Sequence, residues 1–286
     1  AASVGGVCFD GSARSVDEII KNADTAMYAA KKSGRNSFRL FEPAKAIDNG
    51  QQVKLADDIK HIVSDKQIVL RLQPQVNRDG MTLGAEALLR WNHPKLGLLA
   101  PDKFMELAER RGVTADINTY VLENAARLLG AWQIEPETSG LRLAVNIGAE
   151  QLFDPELPRS LRENLKRYAA PPQLLTLEFT EETIAKNRDE AMKAMARLKT
   201  TGVRLSLDDF GTGYSSLAQL KDMPLSEIKI DGRFIRHMHD RPKDAALVKT
   251  MLSMAETLGL DAVAEHVETA AQEKFLLKHG CSLFQG

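Results

Sequence analysis

Glu86 in LGAEALLRW, Asn146 in LRLAVNI, Glu178 in LLTLEF and the pair Asp208-Asp209 in VRLSLDD each sit within or close a run of apolar residues. Lys229 in EIKID, Glu265 in DAVAE and Gln285 in SLFQG follow the same habit. Carboxylates crowded together in a partly dry site repel one another by several kcal/mol unless cations sit among them. Oxygen-only ligands, with no His or Cys among them, favour Mg²⁺ or Mn²⁺ over Zn²⁺. Two adjacent aspartates at one strand end suit a pair of ions sharing a bridging carboxylate, the equipment of phosphoryl chemistry.

Such groups meet only if the strands carrying them converge. Apolar strands alternate with amphipathic helices, and strands are predicted near 68–75, 82–91, 141–147, 174–179, 203–208, 226–230, 261–265 and 281–284. Eight strands in this rhythm predict an α/β fold, a TIM-like (β/α)8 barrel, whose C-terminal strand ends face one mouth. The link Asn77-Arg78-Asp79-Gly80 is a hairpin signal, too short for a parallel crossover, so the first strand should run antiparallel to its neighbour. Ahead of the barrel, residues 3–9 read as a strand, and Ser15 caps a helix with Ile19, Ile20, Ala23, Met27 and Ala30 at helical spacing until Gly34. A second strand, Phe38 to Phe41, completes a short N-terminal α/β segment too small to bury a core alone. Glu42-Pro43 and the stretch on to Gln52 read as a linker.

With 38 Lys+Arg against 39 Asp+Glu, the 286-residue chain carries no strong field, which disfavours binding to nucleic-acid polymers or membrane surfaces by charge alone. At 43% hydrophobic residues it falls in the ordinary globular range, which excludes disordered and fibrous classes. No window approaches the ~18 consecutive apolar residues of a membrane span, so no membrane contact is expected of this segment. Cys8 and Cys281 stand far apart, without disulfide or zinc spacing, which points to a reducing, cytoplasmic compartment. The start AASVGGVCF has neither an initiator Met nor a basic n-region and reads as cut from a longer chain.

The motifs RLQPQV, EALLRW, VNI, LEFTEE, DDFGTGYSSL, IKID, AEHVE and FQG, in that order over about residues 53 to 286, resemble the EAL-domain cyclic-di-GMP phosphodiesterases. SVGGVCF, NADTAMYAAKKSGRN and RLFEP resemble the closing portion of a GGDEF diguanylate cyclase domain, without its nucleotide-binding body. The resemblance implies a GGDEF-like remnant over 1–43, a linker over 44–52 and an EAL domain over 53–286 that stops before the family's closing helix. It further implies upstream GGDEF and sensor domains in the full-length chain, through which the whole protein could be membrane-anchored, and a homodimer.

The implied reaction is cleavage of one phosphodiester of cyclic-di-GMP to linear pGpG by a metal-activated water, with two ions, Mg²⁺ or Mn²⁺. By resemblance Glu86, Asn146, Glu178 and Asp208 ligate one metal, and Asp208 bridges to a second that Asp209 also holds. Lys229, its pKa pushed down by the cations, would orient or deprotonate the water, and Glu265 would complete the second metal's surroundings; with Glu86 these form the catalytic set. Glu268, one helical step on, would brace Glu265, and Glu181 would anchor the loop Asp209 to Tyr214. Gln73 and Arg90 are expected to hold the ligand's phosphate and backbone, Asp231 and Gln285 the rest of it. Two residues depart from the family pattern: His266 stands where Gly is usual, and Gly148 where Ser is usual. Strand alternation should turn His266 away from the mouth if Glu265 points in. Two other readings stay open: a receptor that holds cyclic-di-GMP without cleaving it, and an unrelated Mg²⁺-dependent barrel such as an enolase-type lyase, which also pairs carboxylates with a Lys base.

Overall fold

A computed structural model describes residues 4–7, 16, 19–20, 23–24, 26–27, 38–40, 55–213 and 217–286. The chain divides into two compact units, one of residues 1–65 with 104–113 and the other of 66–103 with 114–286. In the first, β1 (Val4–Gly6) pairs in parallel with β2 (Phe38–Leu40). Residues 16, 19–20, 23–24 and 26–27 are helical, with Ala26 buried and Ile20 exposed, so the apolar face is narrower than the sequence series implies. Ser15, Gly34 and the linker 44–52 lie outside the described residues. A helix, Met105–Arg111, also belongs to this unit and ends on Gly112 in the left-handed conformation that glycine adopts without a steric penalty.

Among the described residues the second unit holds nine strands: β3 (Ile68–Asn77), β4 (Thr82–His93), β5 (Gly97–Leu99), β6 (Arg142–Asn146), β7 (Leu175–Thr180), β8 (Arg204–Phe210), β9 (Glu227–Ile230), β10 (Asp261–Glu265) and β11 (Leu283–Gln285). Their order is β3-β11-β10-β9-β8-β7-β6-β4-β5, and pairing of β3 with β4 closes eight of them into a barrel. β3 runs antiparallel to both neighbours while the other barrel pairings are parallel, as the short link after Asn77 requires. Asn77 Oδ1 accepts from the backbone N–H groups of Asp79 and Met81, both at 2.9 Å, and Gly80 takes φ +74° to close that turn. β5 is an unforeseen strand that folds back on the end of β4, with His93 Nδ1 accepting from Lys95 and Leu96 N–H at the turn.

Along the parallel strands, apolar and polar residues alternate. Leu143, Val145, Leu175, Leu177, Leu205, Leu207, Ile228 and Ile230 are all buried, and between them stand Ala144, Asn146, Thr176, Glu178, Ser206, Asp208, Glu227 and Lys229. A period of two sends the first series outward to the helices and the second into the barrel. The helices supply the matching cover. Thr114–Trp132 buries Ile117, Val121, Leu122, Ala125, Ala126 and Leu129 at helical spacing, and each buried large aliphatic contributes ~1.5–3 kcal/mol. Leu157–Arg167, Arg188–Lys199 and Pro242–Leu258 bury their apolar stripes likewise. Among the described residues no helix is long and apolar enough to cross a membrane.

Gly130 in the helix Thr114–Trp132 shows how tightly this layer is built. A Cβ there would lie 2.0 Å from the carbonyl oxygen of Tyr168, a backbone atom that cannot swing aside. An Ala for Gly exchange in a helix interior ordinarily gains ~1 kcal/mol. Gly130→Ala is expected to reverse that sign and cost ~1–3 kcal/mol by overpacking, read as a fall in the thermal midpoint; a rise would show that the helix can move off Tyr168.

Candidate functional site

Lys229 is the centre of the site. Its strand β9 is short and wholly buried, and the outward Ile228 and Ile230 fix the inward direction of the lysine between them. The ammonium Nζ lies 2.8 Å from Glu265 Oε1, 3.0 Å from Glu86 Oε2, 3.1 Å from Glu178 Oε2 and 3.3 Å from Asp208 Oδ1. These four carboxylates come from β10, β4, β7 and β8, so the contact exists only because the barrel closes. Burial alone would lower the Lys229 pKa, but Glu178, Asp208, Glu86 and Glu265 together push it well above its ordinary value. The expected depression of that pKa is therefore reversed in the protein alone: it was reasoned from cations, and the carboxylates without them act the opposite way.

Two amides tie Glu86 down, and a third supports one of them. Asn146 Nδ2 donates to Glu86 Oε1 at 2.6 Å, and Gln285 Nε2 donates to Glu86 Oε2 at 2.7 Å and to Gln73 Oε1 at 3.2 Å. The buried Gln75 donates through Nε2 to Gln285 Oε1 at 3.1 Å. Gln75 was not anticipated, although it stands two residues from Gln73 in RLQPQV and so on the same strand face. Burial of Glu86 works against its charge, but Lys229, Gln285 and Asn146 overcome this and lower its pKa.

The other carboxyls are pushed the opposite way. Full burial raises the Glu178 pKa well above the usual carboxylate range; Lys229 opposes this, and Glu86 and Asp208 add to it. Glu265 is raised to about 7, by burial first and then by Asp208 and Glu86 against Lys229. Asp209 is raised to about 6, by burial first and then by Asp208 and Asp231. One ammonium cannot neutralise this many carboxylates, and more positive charge is called for.

The residues present fit a divalent cation. Glu178 Oε1 is buried with no hydrogen-bond partner among the described residues, a costly arrangement for an anionic oxygen unless a cation faces it. Asp208, Asp209 and Glu265 each offer a carboxylate oxygen, all within 4.8 Å of one another. The donors are oxygen throughout, which suits a hard cation.

Asp231 caps the helix Gly232–His237, accepting from Arg233 N at 2.6 Å and from its guanidinium at 2.7 and 3.0 Å. Asp209 hydrogen-bonds its carboxyl. Glu181, the first residue of a helix capped by Thr180, is buried, and its Oε1 accepts from Gly211 N at 2.7 Å. A Cβ on Gly211 would fall 2.3 Å from Met251 Cε and 2.9 Å from Phe234 Cε2, so this loop approaches its neighbours closely where Glu181 holds it. Tyr214 lies outside the described residues.

Two expected residues stand apart. Arg90 is half-buried, and its Nη1 donates at 2.8 Å to Leu89 O, not to any group of the cluster. Glu268 is not a helical step beyond Glu265: it is exposed in the loop before the helix Ala270–Lys278, and its N–H donates to Gln272 Oε1. The chain leaves β10 at Glu265 through a left-handed residue, so neither helical nor strand spacing applies there. Gly148 caps the short helix Ala149–Leu152 with extended backbone and makes no side-chain bond.

A (β/α)8 barrel with one antiparallel strand and an acidic, lysine-centred mouth defines a class of metal-site barrels, and comparison narrows it. Residues 56–286 match the EAL domain, and the chain belongs to that family. It is 40% identical over its whole length to MucR of Pseudomonas aeruginosa, named a bifunctional diguanylate cyclase/cyclic di-GMP phosphodiesterase, covering 42% of that protein. It is 36% identical over its whole length to NbdA of Pseudomonas aeruginosa, named a cyclic di-GMP phosphodiesterase, covering 36% of it. The chain thus spans less than half the length of these relatives. A solved structure of the PaMucR phosphodiesterase in complex with c-di-GMP is 40% identical, with TM-score 0.77, over 82% of this chain and 94% of that one.

Two outcomes follow from the geometry. Lys229→Met removes the ammonium shared by four carboxylates, and breaking a buried pair from one side costs ~3–5 kcal/mol. The metal-free thermal midpoint should fall, and Mn²⁺ should raise it by more than it raises wild type. Equal Mn²⁺ shifts in both would show that cations do not share these carboxylates. Glu181→Ala should weaken Mn²⁺ binding in calorimetry by ~10- to 100-fold while the circular dichroism of the fold survives, because it frees the Gly211 loop; unchanged affinity would mean the loop holds itself.

Proposed function

We propose that this chain hydrolyses one phosphodiester of cyclic-di-GMP to linear pGpG, with two divalent cations, Mg²⁺ or Mn²⁺. The observation that carries the proposal is the carboxylate cluster around Lys229, with the orphaned oxygen of Glu178, in a chain of the EAL family. The relatives' names and the complex of PaMucR with c-di-GMP support the choice of substrate.

In this reading Glu86, Asn146, Glu178 and Asp208 would hold one ion, and Asp208, Asp209 and Glu265 would hold the second. Bound there, the ions supply charge neutralisation and Lewis acidity to the phosphodiester and the attacking water. Glu86, Lys229 and Glu265 are the catalytic set. Lys229, its pKa held above the ordinary value by the four carboxylates around it, would donate hydrogen bonds that orient the attacking water. Gln73, Gln285 and Asp231 orient the cyclic dinucleotide at the mouth, and Arg90 reaches its phosphate after releasing the Leu89 carbonyl. Glu181 holds the Gly211 loop, which keeps Asp208 and Asp209 in one arrangement.

Residues 1–43 are the end of a GGDEF-like domain in this reading, with an upstream body and sensor in the full-length protein, followed by a linker over 44–52 and the EAL domain over 53–286. The segment works in the cytoplasm as a homodimer.

Incubating the purified chain with cyclic-di-GMP and Mg²⁺ or Mn²⁺ should yield pGpG on chromatography, and EDTA should abolish it. Lys229→Ala should lower kcat by ~10²-fold or more at saturating metal, with Mn²⁺ affinity not weakened, the usual cost of a lost proton-handling group. Tight binding without turnover in either metal would overturn the hydrolase reading in favour of a receptor.

A further inference from the structure

The loop that leaves β10 is gripped from both sides, and one grip is made by a residue with no role so far. His266, next after Glu265, has φ +53°, a left-handed conformation that costs a bulky residue free energy unless its surroundings hold it there. This turn makes its side chain leave the strand pattern and lie over the first residue of the helix after β9. Gly232 has no side chain, and a Cβ there would fall 2.3 Å from His266 Nδ1, 2.5 Å from Cγ and 2.8 Å from Cβ. All three are side-chain atoms, so the His266 side chain lies on the Gly232 backbone, and its Cβ, bonded to the main chain, cannot swing aside. On the other side Val267 N donates to Gln285 O at 3.2 Å, and a Cβ on Gly286 would fall 2.1 Å from Val267 O.

The consequence reaches the acidic cluster along two short paths. Gly232 follows Asp231, whose carboxyl bonds Asp209, and His266 follows Glu265, whose carboxylate lies within 4.8 Å of Asp208 and Asp209. The His266–Gly232 contact is one point at which the segments after β9 and β10 touch; the hydrogen bond from Gln272 Nε2 to Ile235 O is another. We propose that His266 is a positioning residue: its ring, seated on Gly232, sets the spacing between the Asp209–Asp231 pair and Glu265, and so the size of the cation site. This rests on the metal reading of the cluster but goes beyond it, because it gives His266 a role in spacing and not in ligation.

A double-mutant cycle decides the matter, using metal-free thermal midpoints and Mn²⁺ affinity by calorimetry for wild type, Gly232→Ala, His266→Gly and the double variant. Gly232→Ala should weaken Mn²⁺ binding about tenfold, the lower end of losses seen when a ligand's support is disturbed, and should lower the midpoint. In the His266→Gly background the same methyl meets no ring, and both effects should shrink to within about twofold in affinity and a degree in midpoint. Equal effects in the two backgrounds overturn the coupling. His266→Asn keeps a residue that tolerates the left-handed backbone but removes the ring, and it should weaken Mn²⁺ several-fold as His266→Gly does. Wild-type affinity in both variants overturns the positioning role, even if Gly232→Ala fails to fold. Absence of Mn²⁺ binding by wild type would overturn the metal reading instead, and the coupling would still be decided by the midpoints.

Discussion

An ammonium held among four carboxylates inside a closed barrel is the interaction on which the rest of this molecule depends. Lys229 could not be buried alone, because desolvation of a single charge costs several kcal/mol, and Glu86 and Glu178 are buried against it while Asp208 and Glu265 stay partly exposed. Lys229 first, and then amide donors from Gln285 and Asn146 on the two oxygens of Glu86, hold the Glu86 pKa down against burial, while burial carries Glu178 and Glu265 upward. Dividing one positive charge among so many acceptors leaves the mouth short of cations by design of its geometry.

The opposite end of the same barrel shows what balance looks like. There Arg142 and Arg204 lie 2.9 and 2.6 Å from Asp261 and 3.8 and 3.7 Å from Glu227, two cations against two acids. Glu227 sits two residues below Lys229 on β9, so one strand contributes to both layers. The lower layer compensates itself. The upper one does not, and that difference in charge arithmetic separates a structural network from one built to take in metal.

Backbone strain is placed to match. Of the non-glycine residues with left-handed φ among those described, Lys66, Ala169, Asp209 and His266, two stand at the C-terminal ends of β8 and β10. Left-handed backbone at Asp209 and Gly211, fixed by Glu181 and by the close packing of Met251 and Phe234, turns consecutive aspartates to different neighbours. At His266 it ends the strand at Glu265 and starts a loop pinned to Gly232 and Gly286. Strained positions persist only where surrounding contacts over-determine them, and here those contacts frame the acidic cluster.

The eight barrel strands were legible in the sequence to within about two residues at their ends, because a strand buried against helices needs a short apolar run and nothing else. The antiparallel start followed from the length of one turn, a local property. The polar residues that interrupt those runs were legible for the same reason, since each is an exception to its own neighbourhood, and their family order named the chemistry. The sequence could not show which of them touch. Gln75 looked like any strand glutamine until β11 brought Gln285 against it, and Arg90 shared a strand with Glu86 yet turned to its own backbone. Glu268 was misread because a left-handed residue at 266 breaks every periodicity used to carry a side chain's direction along the chain. The direction of the Lys229 pKa was likewise a tertiary decision: it depends on four carboxylates from four other strands, and distances across a closed barrel are not encoded in spacing along any one of them.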